Sequence, residues 1–315
     1  MSSSYEWKQI GNYDVLVLSF YEAQQNLGLT VLPNYGANIL KFSYNGKTII
    51  DYDLEKLENG NFTGTPVLFP TPNRVKDSKI VFCGKTYPQT KKGKERICHG
   101  LVFDEPFVVE EISCEEDFAQ VRLSISVNKE SDIYTSFPFE CKLNLVYQIN
   151  RKGLKIQYIF ENFSTVSVPY GFGLHPYFTV TGRERLILPS VLYLDAVNCF
   201  PTGNVINTDE IKPNMATNGV IVGECVLDTD FVRYSDNDIY MIYPDENIKL
   251  TIKSTQQFKH IVVYKPESSN FICIEPQTCS IDAHHMATTD FEYSNLLCLE
   301  KGQTDCGTVE ILIES

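Results

Sequence analysis

Four short segments place ionisable side chains among proline, glycine and aromatic residues, and these are the first places to look for chemistry. In chain order they are LFPTPNRV (68–75), CHGLVFD (98–104), VPYGFGLHPYF (168–178) and NFICIEPQT (270–278). In the first segment two prolines fix the backbone just before Asn73 and Arg74, which suits a rigid loop that presents a guanidinium group. A solvated arginine on a surface loop is the alternative interpretation.

The third and fourth segments each hold one candidate for acid/base chemistry. His175 precedes Pro176, which biases its backbone away from a helix, and aromatic residues surround it. Glu275 shares strand parity with Phe271 and Cys273, which predicts a carboxyl group on a partly dry face, with a raised pKa and better basicity near neutrality. We expect this strand to end at Glu275, because proline interrupts a ladder. A structural histidine and a solvated strand-end carboxylate are the alternatives.

Other catalytic motifs are incomplete. The two Gly-Lys-Thr triplets lack the first glycine of a P-loop, and Gly171-Phe-Gly173 lacks the third glycine of a dinucleotide fingerprint. No H-E-x-x-H or G-x-S-x-G motif is present, and His284 and His285 are adjacent, so their side chains tend to point apart. The sequence predicts neither a metal site nor a cofactor.

Taken together and in this order, the motifs P-x-P-N-R, H-G, H-P-Y-F and E-P-Q-T resemble the aldose 1-epimerase (galactose mutarotase) family. The resemblance extends from the Gly36-Ala-Asn-Ile segment to Glu300-Lys-Gly302. It implies a large antiparallel β-sandwich of the galactose mutarotase type, a cleft for a small-molecule sugar, and no cofactor.

The resemblance also implies roles for individual residues. His175 would be the general acid and Glu275 the general base. Arg74 and His99, with Asn73 beside them, would hold the sugar hydroxyls and the region of the ring oxygen.

The family's binding aspartate usually lies in a Y-D-H-x-F context. The best match here is Leu227-Asp-Thr-Asp-Phe231, which indicates Asp228. Because the flanking Tyr and His are replaced, Asp230 is the next candidate. Cys279 follows E-P-Q-T where the family often has glycine, which bears on sugar specificity rather than on the acid/base pair.

The implied reaction needs only one acid and one base. A cyclic aldose is a hemiacetal, so exchange of its anomers requires removal of the C1 hydroxyl proton and protonation of the ring oxygen. Each group would contribute about 10²–10⁴-fold. We therefore expect His175 and Glu275 to face each other across a pocket about one sugar ring wide, and we expect the Glu275 charge to hold up the pKa of His175.

Three alternatives stay open. An epimerase for a phosphorylated or otherwise modified hexose would need a basic cluster, for which Arg183 and Arg185 are candidates. A carbohydrate-binding module without turnover could use the same sandwich. A glycoside hydrolase would need a second carboxylate flanking the scissile bond, and no second motif of that kind is present.

The elements that must position these groups are strands. Apolar and polar residues alternate over 121–127, 141–149, 154–160 and 248–252, which is typical of half-buried antiparallel strands. Turn signals such as Asn45-Gly46 and Thr202-Gly203 separate such runs. One short helix is predicted over 51–57. Without a linker or a repeat, we predict one all-β sandwich domain over 1–315, with few short helices.

Bulk composition excludes several classes of partner. The chain has 40 Asp and Glu against 27 Lys and Arg, and an acidic surface disfavours nucleic acid and anionic membranes. The N-terminal residues do not resemble a signal peptide, and no apolar run approaches membrane-helix length. Ten scattered cysteines favour buried thiols over disulfides. We expect a cytoplasmic monomer or homodimer.

Overall fold

The computed structural model describes residues 1–91, 93–233, 238–289 and 291–315. Within these ranges two large antiparallel β-sheets face each other as a sandwich, and one apolar cluster contains buried residues of both sheets, among them Leu18 and Leu145. In the same ranges no helix is long and apolar enough to cross a membrane.

The described strands are numbered here in chain order. The first half comprises β1 (Ser2–Ile10), β2 (Tyr13–Glu22), β3 (Gln25–Leu32), β4 (Asn38–Tyr44), β5 (Lys47–Ile50), β6 (Val67–Leu68), β7 (Lys79–Phe82), β8 (Lys85–Pro88), β9 (Thr90–Lys91), β10 (Lys94–Glu95), β11 (Val108–Cys114), β12 (Phe118–Val127), β13 (Cys141–Asn150) and β14 (Gly153–Asn162). The second half comprises β15 (Val168–Tyr170), β16 (Gly173–Leu174), β17 (Tyr177–Thr179), β18 (Arg185–Ile187), β19 (Leu192–Val197), β20 (Phe200–Asn207), β21 (Val220–Ile221), β22 (Leu227–Val232), β23 (Ile239–Tyr243), β24 (Ile248–Ser254), β25 (His260–Lys265), β26 (Phe271–Gln277), β27 (Leu297–Leu299) and β28 (Thr304–Glu314).

The first sheet runs in the order β1-β2-β3-β4-β5-β17-β26-β25-β22-β19-β20, with β16 paired to β26 and to β6. The second sheet runs β11-β12-β13-β14-β28-β24-β23-β18-β21. Three two-stranded ribbons, β7-β8, β9-β10 and β15-β27, complete the strands of the described ranges. The fold is thus all-β and antiparallel, as the sequence predicted.

Alternation of apolar and polar residues correctly predicted four strands of the second sheet. The four predicted strands correspond to β12, β13, β14 and β24, and all four lie in that sheet. Along β13, for example, Leu143, Leu145 and Tyr147 are buried while Lys142 and Gln148 are partly exposed. One face of the strand packs on the other sheet and the opposite face is exposed to solvent, so apolar and polar residues alternate in the sequence.

The centre of the first sheet is buried on both faces. In β26 every residue from Ile272 to Gln277 is buried, so polar and apolar positions do not alternate with exposure. The strand also continues beyond Glu275: Pro276 is paired with Ile261 and Gln277 with His260. The prediction that the strand ends at Glu275 is therefore wrong.

Two short helices, α1 (Leu54–Glu58) and α2 (Ala283–Met286), accompany the sheets. The predicted helix over 51–57 begins later in the structure, because Asp53 is its N-cap and accepts a hydrogen bond from the Lys56 amide at 3.1 Å. Single 3-10 turns lie at Lys76–Ser78, Asp132–Thr135, Thr208–Glu210, Val222–Glu224 and Ala287–Thr289.

One of the turn signals is correct and one is wrong. Asn45 and Gly46 connect β4 to β5, both with positive φ (48° and 82°), as a two-residue hairpin turn requires. Thr202-Gly203 instead lies inside β20, opposite an irregularity in the register with β19. The connection between those strands is Asn198-Cys199, with φ of 51° and 66°.

All ten cysteines are within the described ranges, and none forms a disulfide. Four of the thiols are buried, as predicted: Cys141, Cys225, Cys273 and Cys279. Others, such as Cys83 and Cys306, are exposed, so burial does not extend to the whole set.

Candidate active site

The loop after β6 holds Asn73 and Arg74 in a fixed conformation. Asn73 has φ of 57°, a left-handed value that asparagine tolerates better than most residues. Its Oδ1 accepts hydrogen bonds from the Arg74 backbone amide at 2.8 Å and from Arg74 Nη1 at 3.3 Å. The asparagine therefore directs both the backbone and the guanidinium group of its neighbour.

His99 is tied to this same loop. Its amide donates to the Asn73 carbonyl at 2.8 Å, and Leu101 N donates to the Phe69 carbonyl at 2.8 Å. His99 and Gly100 both have positive φ (65° and 74°). A Cβ on Gly100 would lie 2.3 Å from the Phe69 carbonyl oxygen, so only glycine fits after His99. The first two sequence motifs thus form one structural unit.

The register of β26 brings His175 and Glu275 together. On one side of this pair Gly173 lies opposite Gln277, and on the other Tyr177 lies opposite Cys273. Counting inward from either end places His175 opposite Glu275, on the same face of the sheet. Two residues a hundred positions apart in the chain become cross-strand neighbours.

The two side chains are in direct contact and almost completely buried. His175 Nε2 lies 3.2 Å from Glu275 Oε1, and the residues are 5% and 1% exposed. The second carboxylate oxygen of Glu275 accepts a hydrogen bond from Gln277 Nε2 at 3.0 Å. Both groups line one pocket, but the prediction that they face each other across the width of a sugar ring is wrong, because their side chains are in contact. The C1 hydroxyl oxygen, which loses a proton, and the ring oxygen, which gains one, are both bonded to C1. Two side chains in contact with each other can therefore reach both oxygens.

Burial dominates the electrostatics of the pair. It raises the pKa of Glu275 well above its usual range, against the hydrogen bond from Gln277, which lowers it. Burial also lowers the pKa of His175 to about 4. The expectation that the Glu275 charge holds up the pKa of His175 is therefore wrong: the low-dielectric surroundings disfavour both charges.

His99 stands beside the pair. Its ring centroid lies 5.0 Å from that of His175 in an edge-to-face arrangement. Burial, then the neighbouring His175 and Arg74, lower the pKa of His99 well below its usual value, so its imidazole is neutral near pH 7. The buried Nδ1 atoms of His99 and His175 have no hydrogen-bond partner within the described ranges.

These groups line one cavity of about 320 Å³, which is called the first cavity below. The six residues that the sequence first assigned to the site contribute to its wall, together with four others. The lining residues are Phe62, Asn73, Arg74, Cys98, His99, His175, Tyr177, Asp228, Tyr264 and Glu275. The volume is at the lower end for small-molecule pockets, so the first cavity suits a ligand of one ring.

The structure separates the two candidate aspartates. Asp228 is exposed on β22, lines the first cavity, and its Oδ2 lies 3.9 Å from Arg74 Nη2. Asp230 is buried, bonds His260 Nδ1 at 2.8 Å and accepts from the Ile281 amide at 3.1 Å. Asp230 does not line the first cavity, so Asp228 is the aspartate placed to meet a ligand.

Phe62 and Tyr264 of the first cavity were missed by sequence reasoning. Phe62 lies between α1 and β6 and packs on His99 with ring centroids 4.6 Å apart. Tyr264 lies in the apolar strand β25, opposite Asp228. Neither residue has a motif around it; only the pairing of β25 with β22 could have indicated Tyr264.

The comparison with known protein families agrees with this arrangement. The model of the aldose 1-epimerase family matches residues 20–301. The chain belongs to the aldose 1-epimerase family. Membership supports a carbohydrate epimerase of the mutarotase type.

Individual relatives of this epimerase family member are distant in sequence. The Escherichia coli (strain K12) protein YihR, itself uncharacterized, is 23% identical over 246 residues, which is 75% of each chain. A galactose mutarotase-like protein from Clostridium acetobutylicum has 20% identity and a TM-score of 0.86 over 100% of this chain and 99% of that one. A galactose 1-epimerase from Lactobacillus acidophilus has 15% identity and a TM-score of 0.77, over 99% and 98%. At such identities the likeness to these structures shows the fold.

Proposed function

We propose that this protein is a mutarotase that interconverts the α and β anomers of an aldose by ring opening, with Glu275 as general base and His175 as general acid. The observation that carries the proposal is the 3.2 Å contact between His175 Nε2 and Glu275 Oε1 inside a cavity of one-ring size. Distance alone would also fit a structural ion pair. The open cavity around the pair, with Arg74 and Asp228 in its wall, favours a site that receives a ligand.

The reaction needs one proton between the two groups. Glu275 takes the proton from the C1 hydroxyl while protonated His175 gives one to the ring oxygen; the bond from C1 to the ring oxygen breaks and a C1 carbonyl forms. After rotation about C1–C2 the same two groups return the protons and close the ring. Net proton count on the enzyme is unchanged in each direction.

Burial sets the resting protonation state of the pair, because it disfavours both charged forms. Raising the pKa of Glu275 and lowering that of His175 favours a neutral acid beside a neutral imidazole. The contact at 3.2 Å is within hydrogen-bond range, so the proton can move to His175 without exchange with solvent. The pair then has the charges that the first step requires.

The remaining wall of the first cavity suits sugar hydroxyl groups. Arg74, Asn73 and Asp228 supply donors and acceptors on one side, and neutral His99 can do either. Phe62 and Tyr177 supply apolar surface, as is usual in ligand pockets. These contacts would hold the sugar with its C1 region at the His175–Glu275 pair.

Polarimetry of freshly dissolved α-glucose and α-galactose tests the proposal. Glu275→Gln and His175→Asn should each lower kcat/KM by about 100-fold or more, since each group contributes about 10²–10⁴-fold. Matched control variants, Glu267→Gln and His285→Asn, change residues of the same type outside the first cavity and should keep wild-type rates. Near wild-type rates in both site variants, with circular dichroism unchanged, would rule out this pair as the catalytic groups.

A further inference from the structure

A second cavity of about 200 Å³ adjoins the first and is called the second cavity below. Tyr177 contributes to the walls of both. The second cavity is otherwise formed by the segment before α1, by α1 itself and by the start of β26, including Asp51, Lys56, Asn270 and Phe271. None of these four residues belongs to the first cavity, so the second cavity is not needed for a single ring.

The spacing of the two cavities follows from one extended stretch of chain. His175 and Tyr177 line the first cavity, whereas Tyr177 and Thr179 line the second. Alternate residues of an extended chain lie on one face, and a step of two residues covers about 7 Å. The two lining segments are therefore centred about 7 Å apart along the chain, a spacing that suits two linked sugar residues.

Aromatic surface continues from one cavity into the other. The Tyr177 ring stacks on His175 with centroids 4.9 Å apart and planes within 11°. Phe271 lies 4.9 Å from Tyr177 on the side of the second cavity. Apolar rings with a few polar groups around them are the usual lining of a small-molecule site, and they match the alternation of C–H faces and hydroxyl groups on a sugar.

Polar groups in the second cavity are free for a ligand. Asp51 is half-buried and Asn270 is exposed, and neither the Asp51 carboxylate nor the Asn270 side-chain amide has a hydrogen-bond or ion-pair partner within the described part of the chain. Lys56 lies with its ammonium group 5.2 Å from the centroid of Phe271. With Asp53 also in the wall, two carboxylates oppose one ammonium group, which disfavours a phosphate or another anionic substituent.

We propose that the second cavity binds a neutral sugar residue joined by a glycosidic bond to the aldose in the first cavity. The preferred substrate is then a reducing disaccharide or longer oligosaccharide, rather than a free or phosphorylated hexose. This inference rests on the proposed function, because it places the reducing end of the substrate at the His175–Glu275 pair.

The test compares kcat/KM for anomer exchange on glucose, glucose 6-phosphate and a panel of reducing disaccharides: maltose, cellobiose, lactose and isomaltose. At least one disaccharide should exceed glucose by about tenfold, which is typical of one added set of pocket contacts. Glucose 6-phosphate should fall below glucose. The variant Asn270→Trp, which fills the second cavity, should lower the ratio of disaccharide to glucose kcat/KM by about tenfold or more.

Two further variants sharpen the result. Asn218→Trp makes the same change at an exposed asparagine that lines neither cavity, and its ratio should match the wild type. Asp51→Asn keeps the size of the side chain and should lower the disaccharide ratio even if the tryptophan variant fails to fold. If glucose turns over but no disaccharide exceeds it, or if the ratio is unchanged in Asn270→Trp and Asp51→Asn, the second subsite is refuted and the mutarotase proposal stands. If no aldose turns over, both are refuted.

Discussion

Gln277 offers the sharpest test of how the acid/base pair shares its proton. Its side chain is fully buried on β26, and its Nε2 donates to Glu275 Oε2 at 3.0 Å. A hydrogen bond to a charged group contributes about 1.5–3 kcal/mol, and one pKa unit corresponds to about 1.4 kcal/mol. Because this bond stabilises the carboxylate, Gln277→Met should raise the pKa of Glu275 by about one to two units.

The pH profile shows where the proton resides. Burial raises the pKa of Glu275 and lowers that of His175 to about 4, so in the free enzyme we expect the shared proton on Glu275. The alkaline limb of kcat/KM, which reports the free enzyme, should then move up by about one to two units in Gln277→Met. The acid limb, which reports protonation of His175, should not move.

The assay is polarimetric anomer exchange between about pH 4 and 10, corrected for the uncatalysed rate at each pH. Gln257→Met is the matched control, because Gln257 donates to a backbone carbonyl at 2.8 Å and lines neither cavity. An unchanged profile in Gln277→Met would refute the role of the hydrogen bond. Movement of the acid limb instead would place the resting proton on His175.

Further predictions concern stability and binding. Gly100→Ala should lower the free energy of unfolding, measured in urea, by about 3 kcal/mol, because the alanine adds left-handed strain and overpacks a backbone carbonyl. Gly84→Ala is the control: Gly84 has φ of 72° and open space around it, so its substitution should cost only the strain of about 1–2 kcal/mol. Equal losses in the two variants would contradict the steric argument. Asp228→Asn should raise KM with an unchanged melting temperature. Asp230→Asn should instead lower the free energy of unfolding by about 3–5 kcal/mol, because it breaks the buried pair with His260. The reverse pattern would make Asp230 the ligand-binding aspartate and Asp228 the structural one. Burial lowers the pKa of His260, but Asp230 and the hydrogen bonds outweigh burial and raise the pKa overall. The stabilisation that protonated His260 gives the folded state is therefore present below about pH 6.5 and is lost as pH rises through the higher folded pKa. Urea unfolding of the wild type should show this loss above about pH 6.5, and Asp230→Asn should make the free energy of unfolding less dependent on pH in that range.

How much the sequence revealed depended on what each side of a strand faces. One face of each correctly predicted strand packs on the core and the other faces solvent, so apolar and polar residues alternate visibly in β12, β13, β14 and β24. In β26 both faces are buried, so alternation could not mark its end, and the prediction from Pro276 ended the strand two residues early. The site lies on this doubly buried strand, where periodicity carries least information.

The sequence alone supplied the chemical types and the order of the motifs, and hence the family and the fold class. The tertiary structure decided the geometry: the register of β26 with the chain around His175 set that residue against Glu275, and the pairing of β22 with β25 distinguished Asp228 from Asp230. It also decided the protonation of the pair, since burial depends on neighbours from distant strands. Residue identity is a local property, whereas contact and desolvation arise only when segments far apart in the chain pack together.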